Sequence, residues 1–419
     1  MRGNDSGILE GHGTVRYGPP LPDAGLPVLP ELAAAATAAD PAVPEPPGGA
    51  PALLDAASGY WLRRGLPTAP DQTAAAPGAA PLLLALTAAI GGDVLLPRPS
   101  PAWWAPQARL LGRSVFRVAT PAECGGVPDP FALLETVRRV RAEGGDPRLL
   151  VLSVADDPTA TAAPPEILHE AVEAAAAEGL HIVSDETWRD TVHHDPARAT
   201  VLIGPAEMLP DHVSVVTDLV GAYLPPGLPA AVARFPGTER GAALRARVLD
   251  FLTALGSVPS APAAAAATYA LGEPPEITER LRAATALHAR VADAVHRVVL
   301  DRGGLARPPE AGRHLYADLE RLRPALAARG VGDAQDLEDH LAQRLGMPAP
   351  GGHRFGDDLA ALRVRLSTSP FLGATPGERM SSLIAPEPAE LPHVQRALSM
   401  LESALDDLGS DVKGWESPR

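Results

Sequence analysis

The stretch that decides the fold is RLLVLSVADDPTATAAPPEILHEAVEAAAAEGLHIVSDETW, residues 148–188. Arg148 to Ser153 is a short apolar run of strand length, continuous enough to be buried on both faces. Pro165 to Glu178 starts with the proline that suits a first helical turn and continues in Ala, Leu and Glu. His181 to Ser184 is a second short apolar run. A strand, a helix and a strand in this order predict a parallel βαβ unit.

The alternation continues in both directions. Upstream, helices are expected at Pro81–Ile90, Trp103–Leu111 and Phe131–Glu143, with strands at Asp93–Pro97 and Ser114–Val118. Downstream, Val213–Val216 and Ala230–Phe235 complete the series. The pattern predicts an α/β domain with a mostly parallel sheet. A long helix at Glu276–Leu300 leads to a C-terminal part. That part has strands at His314–Asp318 and Leu362–Ser367 and helices at Asp333–Leu345 and Leu391–Leu408, a smaller α+β lobe. Before Pro51 the chain is rich in Pro, Gly and Ala and reads as an arm with one helix near Leu29–Ala39. The expected organisation is an arm at 1–50, a large domain at 51–290, a small domain at 291–408 and a mobile tail at 409–419.

Composition narrows the function classes. The 419 residues carry a net charge of −15, which argues against nucleic acid and anionic membranes as partners. One cysteine, Cys124, excludes an internal disulfide and a multi-cysteine metal site. The first residues are polar, without the apolar core of a signal peptide. Ala74–Ile90 is nearly all apolar, but Pro77, Gly78 and Pro81 interrupt it, so a buried loop and helix are expected rather than a membrane span. A soluble cytoplasmic protein is the expectation. The most informative count is lysine. The only one is Lys413, in the C-terminal tail. Arginine stays protonated and does not form Schiff bases, so lysine-based covalent catalysis is nearly excluded.

Taken in order, several segments resemble the class I/II aminotransferases of the fold-type I pyridoxal-phosphate (PLP) enzymes, from about residue 55 to 405. Tyr60-Trp-Leu-Arg-Arg-Gly65 looks like the helix and Arg-Gly before the family's first glycine turn. Ala76-Pro-Gly78-Ala-Ala80 sits where that turn is expected. Gly91-Gly-Asp-Val-Leu-Leu-Pro97 looks like a family strand and its proline. Leu152-Ser-Val-Ala-Asp-Asp157-Pro-Thr-Ala160-Thr resembles Ser-Asn-Pro-Asn-Asn-Pro-Thr-Gly-Thr. Ile182-Val-Ser-Asp185-Glu-Thr-Trp188-Arg-Asp resembles Ile-Ser-Asp-Glu-Ile-Tyr-Arg-Asp. Pro350-Gly-Gly-His-Arg-Phe355-Gly356 and Val364-Arg365-Leu-Ser367 resemble Pro-Gly-x-x-Phe-Gly and Arg-Leu-Ser. The resemblance implies the fold-type I architecture, a homodimer and PLP chemistry on amino acids and keto acids.

The same resemblance exposes departures at the cofactor. The family's lysine column falls on Asp218 or, counted back from the glycine turn, nearer Gly221; neither is lysine. The phosphate-binding arginine falls on Pro229. The asparagine that meets the cofactor's phenolic oxygen is Asp157, whose charge would repel a phenolate. The tyrosine at the same oxygen is Trp188, which donates but does not accept. The hydroxyl donor after the glycine turn is Ala79. The ring-stacking aromatic falls on Pro101, leaving Trp103 or Trp104 as alternatives to a core or interface role.

Three implied features remain. Asp185 stands where a carboxylate pairs with the pyridine nitrogen. Arg365 stands where an arginine clamps the substrate carboxylate. Gly78, with the amides of Ala79 and Ala80, offers a helix N-terminus to an anion. A structural alternative stands beside each: a local cap, an interdomain salt bridge and a tight turn. His193-His194-Asp195 reads as a solvated loop rather than a metal site. Cys124 reads as an incidental loop thiol, and Asp156, Asp157, Asp185 and Glu186 as separately hydrogen-bonded carboxylates near the strand ends.

The expected site therefore has no catalytic lysine. Gly78, Ala79, Asp157, Asp185, Trp188 and Thr217 face the cofactor position, and Arg365 and Trp104 face the substrate. The function expected is an aminotransferase-like protein with a degenerate PLP site, not a standard transaminase: a pseudoenzyme or a ligand-binding or regulatory module. The alternative is an enzyme on an amino-acid-like substrate with noncovalent PLP or its amine form. A small amino-acid or keto-acid ligand suits both. A cleft filled by Trp103, Trp104 or Trp188 favours the first.

Overall fold

The computed structural model describes residues 15–409, apart from Leu21, Pro41 and 195–201. Lys413, its tail and Asp195 lie outside the described residues. The chain begins with a stretch that has little regular structure and then forms α1 (Pro30–Ala38) and α2 (Pro51–Arg63). Next come β1 (Thr73–Ala76), α3 (Ala79–Ile90), β2 (Asp93–Arg98), α4 (Trp104–Leu110), β3 (Val115–Ala119) and α5 (Pro130–Ala142). The unit singled out in the sequence is β4 (Pro147–Ser153), α6 (Pro165–Ala177) and β5 (His181–Asp185). It is followed by the short α7 (Pro205–Met208), β6 (Val213–Asp218), β7 (Ala231–Arg234), α8 (Glu239–Ala254) and α9 (Ala261–Leu271).

These seven strands make one sheet in the order β1-β7-β6-β5-β4-β2-β3. The strands from β3 across to β6 are parallel, and β7 runs antiparallel between β6 and β1. Two antiparallel steps return β1 to the direction of β6. Their C-terminal ends therefore share one edge of the sheet, the edge where ligands sit in such folds. Helices cover both faces, so the strand interiors are apolar throughout, with Leu149, Leu150, Val151 and Leu152 all buried.

Helix starts follow local chemistry. Asp129 accepts from the Ala132 N–H at 2.8 Å ahead of α5, and Thr238 and Ser260 cap α8 and α9 the same way. Gly78 takes φ +152°, a backbone conformation that favours glycine, and turns β1 directly into α3.

The long α10 (Pro275–Asp301) joins two cores. Its Ile277 packs with one face of the large sheet, and Leu287 to Val299 pack with a second core. That second core belongs to the three-stranded sheet of β8 (Leu305–Ala306), β9 (His314–Asp318) and β10 (Arg363–Ser367), order β10-β9-β8. The helices α11 (Arg323–Ala327), α12 (Ala334–Leu345), α13 (Pro376–Ile384) and α14 (Pro392–Gly409) complete it.

The fold is the α/β architecture expected, with two local differences. Thr73–Ala76, whose Ala74 onward was read as buried loop, is strand β1, paired with β7 from Thr73↔Arg234 to Ala76↔Ala231. Helices α8 and α9 were not anticipated. In β1 and α9 the cause is the same. Alanine-rich segments bury small side chains on every side and leave no periodic signal.

Candidate active-site cleft

The strand ends gather four carboxylates. Asp218, at the end of β6, sits against the start of α3. Its Oδ2 accepts the Ala79 N–H at 2.8 Å and its Oδ1 accepts the Val220 N–H at 2.9 Å. A carboxylate on the first amide of a helix is a favourable arrangement. Burial raises Asp218 above the ordinary aspartate range, and these two amides oppose the rise. The Asp218 N–H donates to Thr187 Oγ1 at 3.1 Å, and the Thr187 hydroxyl donates to Asp185 Oδ1 at 2.5 Å. The Thr187 N–H adds a bond to the same oxygen at 3.0 Å. Burial pushes Asp185 up to about 6, with Asp218 and Asp157 adding repulsion against the Thr187 bonds.

Asp156 and Asp157 follow β4 and take opposite roles. Asp156 is buried, with Oδ2 held by the Thr159 N–H and hydroxyl and Oδ1 lacking a partner. Burial pushes it up to about 7. Asp157 points the other way, and its Oδ1 accepts from Arg365 Nη1 at 2.7 Å. Burial alone would raise Asp157, but the Arg365 guanidinium outweighs it and holds the carboxyl below its usual range. The arginine expected to clamp a substrate carboxylate is thus matched to a carboxylate of this chain. The pairing spans the two sheets, because Arg365 lies on β10.

Trp188 fills the space between these groups. A β-carbon placed on Gly221 would lie 3.0 Å from the indole, and one on Gly312 would lie 3.7 Å from it. The indole also meets His314 edge to face at 5.4 Å. Burial and the Arg365 charge push His314 down to about 3, so it is neutral at pH 7.

A cavity of about 250 Å³ lies on the other side of Trp188. Asp157, Trp188, Gly221 and Arg365 line it, together with Arg280 of α10 and Arg313 before β9. Gly78, Ala79, Asp185, Thr217 and Asp218 do not line it. Residues 19–32 form much of its remaining wall. That segment is tied down by Ser367 to Asp23, by Arg280 Nη2 to the Pro27 carbonyl at 2.5 Å and by Arg354 Nη1 to the Gly18 carbonyl at 2.6 Å.

The expected residues thus separate into two groups. Gly78, Ala79 and Asp185 gather at the α3 end, whereas Thr217 is buried on β6 with its hydroxyl unpartnered. Asp157, Trp188 and Arg365 gather at the cavity. Trp104 joins neither. It is 1% exposed within the core of the sheet, and its neighbour Trp103 lines the cavity instead. The two are successive residues at a helix start, about 100° apart around its axis, so Trp104 is fully buried while Trp103 packs on the same core and still reaches the cavity. His193 is also not solvated. It is buried, with Nδ1 3.2 Å from the Pro309 carbonyl and Nε2 3.1 Å from that of Gly312. Cys124 is buried, which raises its thiol pKa. Among the described residues no group of His, Cys, Asp and Glu could hold a metal ion, and no helix is long and apolar enough to cross a membrane.

Sequence reasoning missed a polar knot beside the cleft. Tyr60 donates to Asp190 at 2.6 Å, and Arg64 pairs with both Asp190 at 2.9 Å and Glu273 at 2.6 Å. The Tyr223 hydroxyl lies 3.0 Å from Asp190. The residues come from α2 and the residue that follows it, the loop after β5, the loop after β6 and the turn between α9 and α10. The only local signal was the Arg64-Gly65 pair.

Residues 29–346 match the family model of the class I and II aminotransferases. The chain belongs to that family. The probable aspartate/prephenate aminotransferase of Thermus aquaticus is 29% identical over 182 residues, 42% of this chain and 45% of that protein. The aspartate/prephenate aminotransferase of Thermus thermophilus is 29% identical over 182 residues, 44% of its length. The matched stretch is therefore under half the length of these curated relatives. Solved structures match further. The aspartate aminotransferase of Thermus thermophilus with maleate superposes with a TM-score of 0.71 at 20% identity, covering 93% of this chain and 90% of that one. The aromatic aminotransferase of Pyrococcus horikoshii gives 0.72 at 17%, covering 93% and 95%. At these identities the likeness is one of fold.

Family membership implies PLP as cofactor. The residues of this chain do not fit a lysine-held form of it. Asp218 and Gly221 offer no amine, the Asp218 carboxylate sits on the amide at the α3 N-terminus, and the indole of Trp188 abuts Gly221.

Proposed function

We propose that this protein is an aminotransferase-family member that does not transaminate, a pseudoenzyme retained as a ligand-binding or regulatory module. One observation carries the reading: the carboxylate of Asp218 lies 2.8 Å from the Ala79 amide, at the helix N-terminus that would otherwise receive an anion. A phosphate brought to the same amide would meet a like charge at hydrogen-bond distance and would have to displace the charge-assisted bond between that amide and Asp218. Such a bond is worth about 1.5–3 kcal/mol. Two further observations support it. Lys413 is the only lysine in the sequence. The Asp157–Arg365 pair neutralises the arginine expected to take a substrate carboxylate.

The protein would act as a cytoplasmic homodimer on a small amino-acid- or keto-acid-like ligand. A second reading, noncovalent binding of PLP or its amine form, draws support from Asp185 at the end of β5, where a pyridine nitrogen would find a carboxylate.

Titration of the purified protein with PLP tests the reading, followed by absorbance between about 330 and 430 nm and borohydride trapping. The expected result is no saturable change and no trapped adduct. Saturable binding that borohydride does not fix would establish the second reading. A trapped adduct on the protein would overturn both, and a spectral change on adding amino acids to the bound cofactor would support the second reading over the first.

A further inference from the structure

The cavity beside Trp188 holds an imbalance of charge among its described lining residues. Its charged lining consists of the guanidiniums of Arg280, Arg313 and Arg365 and the carboxylates of Asp23 and Asp157. His314 also lines it and is neutral at pH 7. Three positive groups against two negative ones leave one positive charge, inside a protein whose net charge is −15. Arg365 is matched by Asp157, and Asp23 is engaged by the Ser367 hydroxyl. Arg280 donates to the Pro27 carbonyl, a neutral partner.

Arg280 and Arg313 are the two cavity arginines without an ion pair among the described residues, and of the two only Arg313 makes no hydrogen bond through its guanidinium. Its Nε is shut off from solvent and has no hydrogen-bond partner, and no ion pair to Arg313 is present among the described residues. Its position is nonetheless built. The Thr368 N–H and hydroxyl both donate to its carbonyl, at 2.8 and 3.0 Å. Its guanidinium carbon lies 5.8 Å from the Trp188 ring. Burial lowers Arg313 to about 10, with Asp23 opposing and Arg280 adding to the fall, so it remains charged at pH 7. A half-buried guanidinium whose Nε has no acceptor and whose other nitrogens reach the cavity is short of a partner, and a planar carboxylate is the one its fork geometry suits.

We infer that this cavity binds a small monocarboxylate with an aromatic or branched apolar body, the carboxylate held by Arg313 and the body lying against Trp188 and Trp103. The ligand carries one negative charge because one positive charge is unmatched. A dianion would bring its second charge towards Asp157 and Asp23. A cation would face three guanidiniums. The body is apolar because the rest of the wall is Trp, Tyr, Leu and Pro. The inference deepens the non-transaminating reading by naming the ligand class and its anchor, and the anchor differs from Arg365.

The test is calorimetric titration of the full chain with 3-phenylpropionate, alongside Trp fluorescence, with 2-phenylethylamine and phenyl phosphate as controls. Wild type should bind 3-phenylpropionate saturably and more tightly than either control. Arg313→Gln should weaken it by at least about ten-fold, and Arg313→Lys, which keeps the charge without the fork, by less. Arg148→Gln, which removes an exposed charge that is not part of the cavity lining, should bind within about three-fold of wild type. Circular dichroism checks folding, and the lysine variant carries the test if the glutamine variant fails to fold. Absence of binding, equal binding by both Arg313 variants and wild type, or tighter binding of phenyl phosphate or the amine would each overturn the inference. The PLP titration is a separate readout, so either proposal can fail alone.

Discussion

The Asp157–Arg365 pair joins a loop after β4 to strand β10 and offers a sharp energetic test. The two residues are 208 positions apart, the contact is 2.7 Å, and both side chains are largely withdrawn from water at 16% and 11% exposure. Asp157→Leu would leave the Arg365 charge buried without a partner, and Arg365→Met would strand Asp157. Breaking one side of such a pair costs about 3 kcal/mol or more. The double variant also removes the stranded charge, so it should cost less than either single. The coupling is then at least about 3 kcal/mol, at or beyond the upper end for contacting residues. At about 2.1 cal/mol/K per residue over 419 residues, each single should melt roughly 3–4 °C below wild type.

The pH dependence has a definite sign. Arg365 depresses Asp157, so the stabilisation is fully present above the unfolded aspartate value near about 4 and disappears only as pH falls through the lower folded value. The coupling should therefore be flat between about pH 5 and 8. The assay is thermal and urea denaturation of the four proteins of the cycle at several pH values. Additive single effects, or a coupling that fades across neutral pH, would refute the reasoning.

Two further outcomes are expected. Burial raises Asp156 to about 7, so the folded state prefers its protonated form, and the wild type loses stability as pH rises from about 4 through about 7. Asp156→Asn removes that loss, so its melting advantage should grow from pH 5 to 8 towards a ceiling of about 4 kcal/mol, and parallel pH curves would contradict this. Gly221 sits at φ +107° with a would-be β-carbon 3.0 Å from Trp188. Gly221→Ala should lower stability by about 1–3 kcal/mol, and less in a Trp188→Ala background, where only the backbone strain remains. An equal loss in both backgrounds would remove the indole from the explanation.

Much of the fold was legible because β4, α6, β5 and their neighbours carry apolar runs of distinct length and period. What escaped was either too uniform or too distant. Thr73–Ala76 has side chains too small to reveal a strand, and α9 is almost continuous alanine. The residue types at the site could be read one by one, which is why the absence of lysine stood out. Their pairings could not. Asp218 meets Ala79 across 139 residues, and no local pattern says that this carboxylate will sit on that amide. Arg365 was legible as an arginine facing a carboxylate, with an interdomain salt bridge as the alternative, but nothing local named Asp157 as its partner. Of two adjacent tryptophans, only the placement of α4 against the sheet decides that Trp104 goes into the core and Trp103 to the cavity. Arg313 gave no signal, because its distinction is a missing partner.

The contact between Trp188 and Gly221 also bears on history. At the position counted from the glycine turn, a lysine at 221 would bring its β-carbon to 3.0 Å from the indole, so the ring would have to give way by a few tenths of an ångström. Restoring a smaller ring at 188 first would open a void beside a glycine and gain no amine. Each step back is unfavourable without the other, so the pair behaves as a ratchet. Drift can carry the chain further from amine chemistry one substitution at a time, while the return requires two changes together.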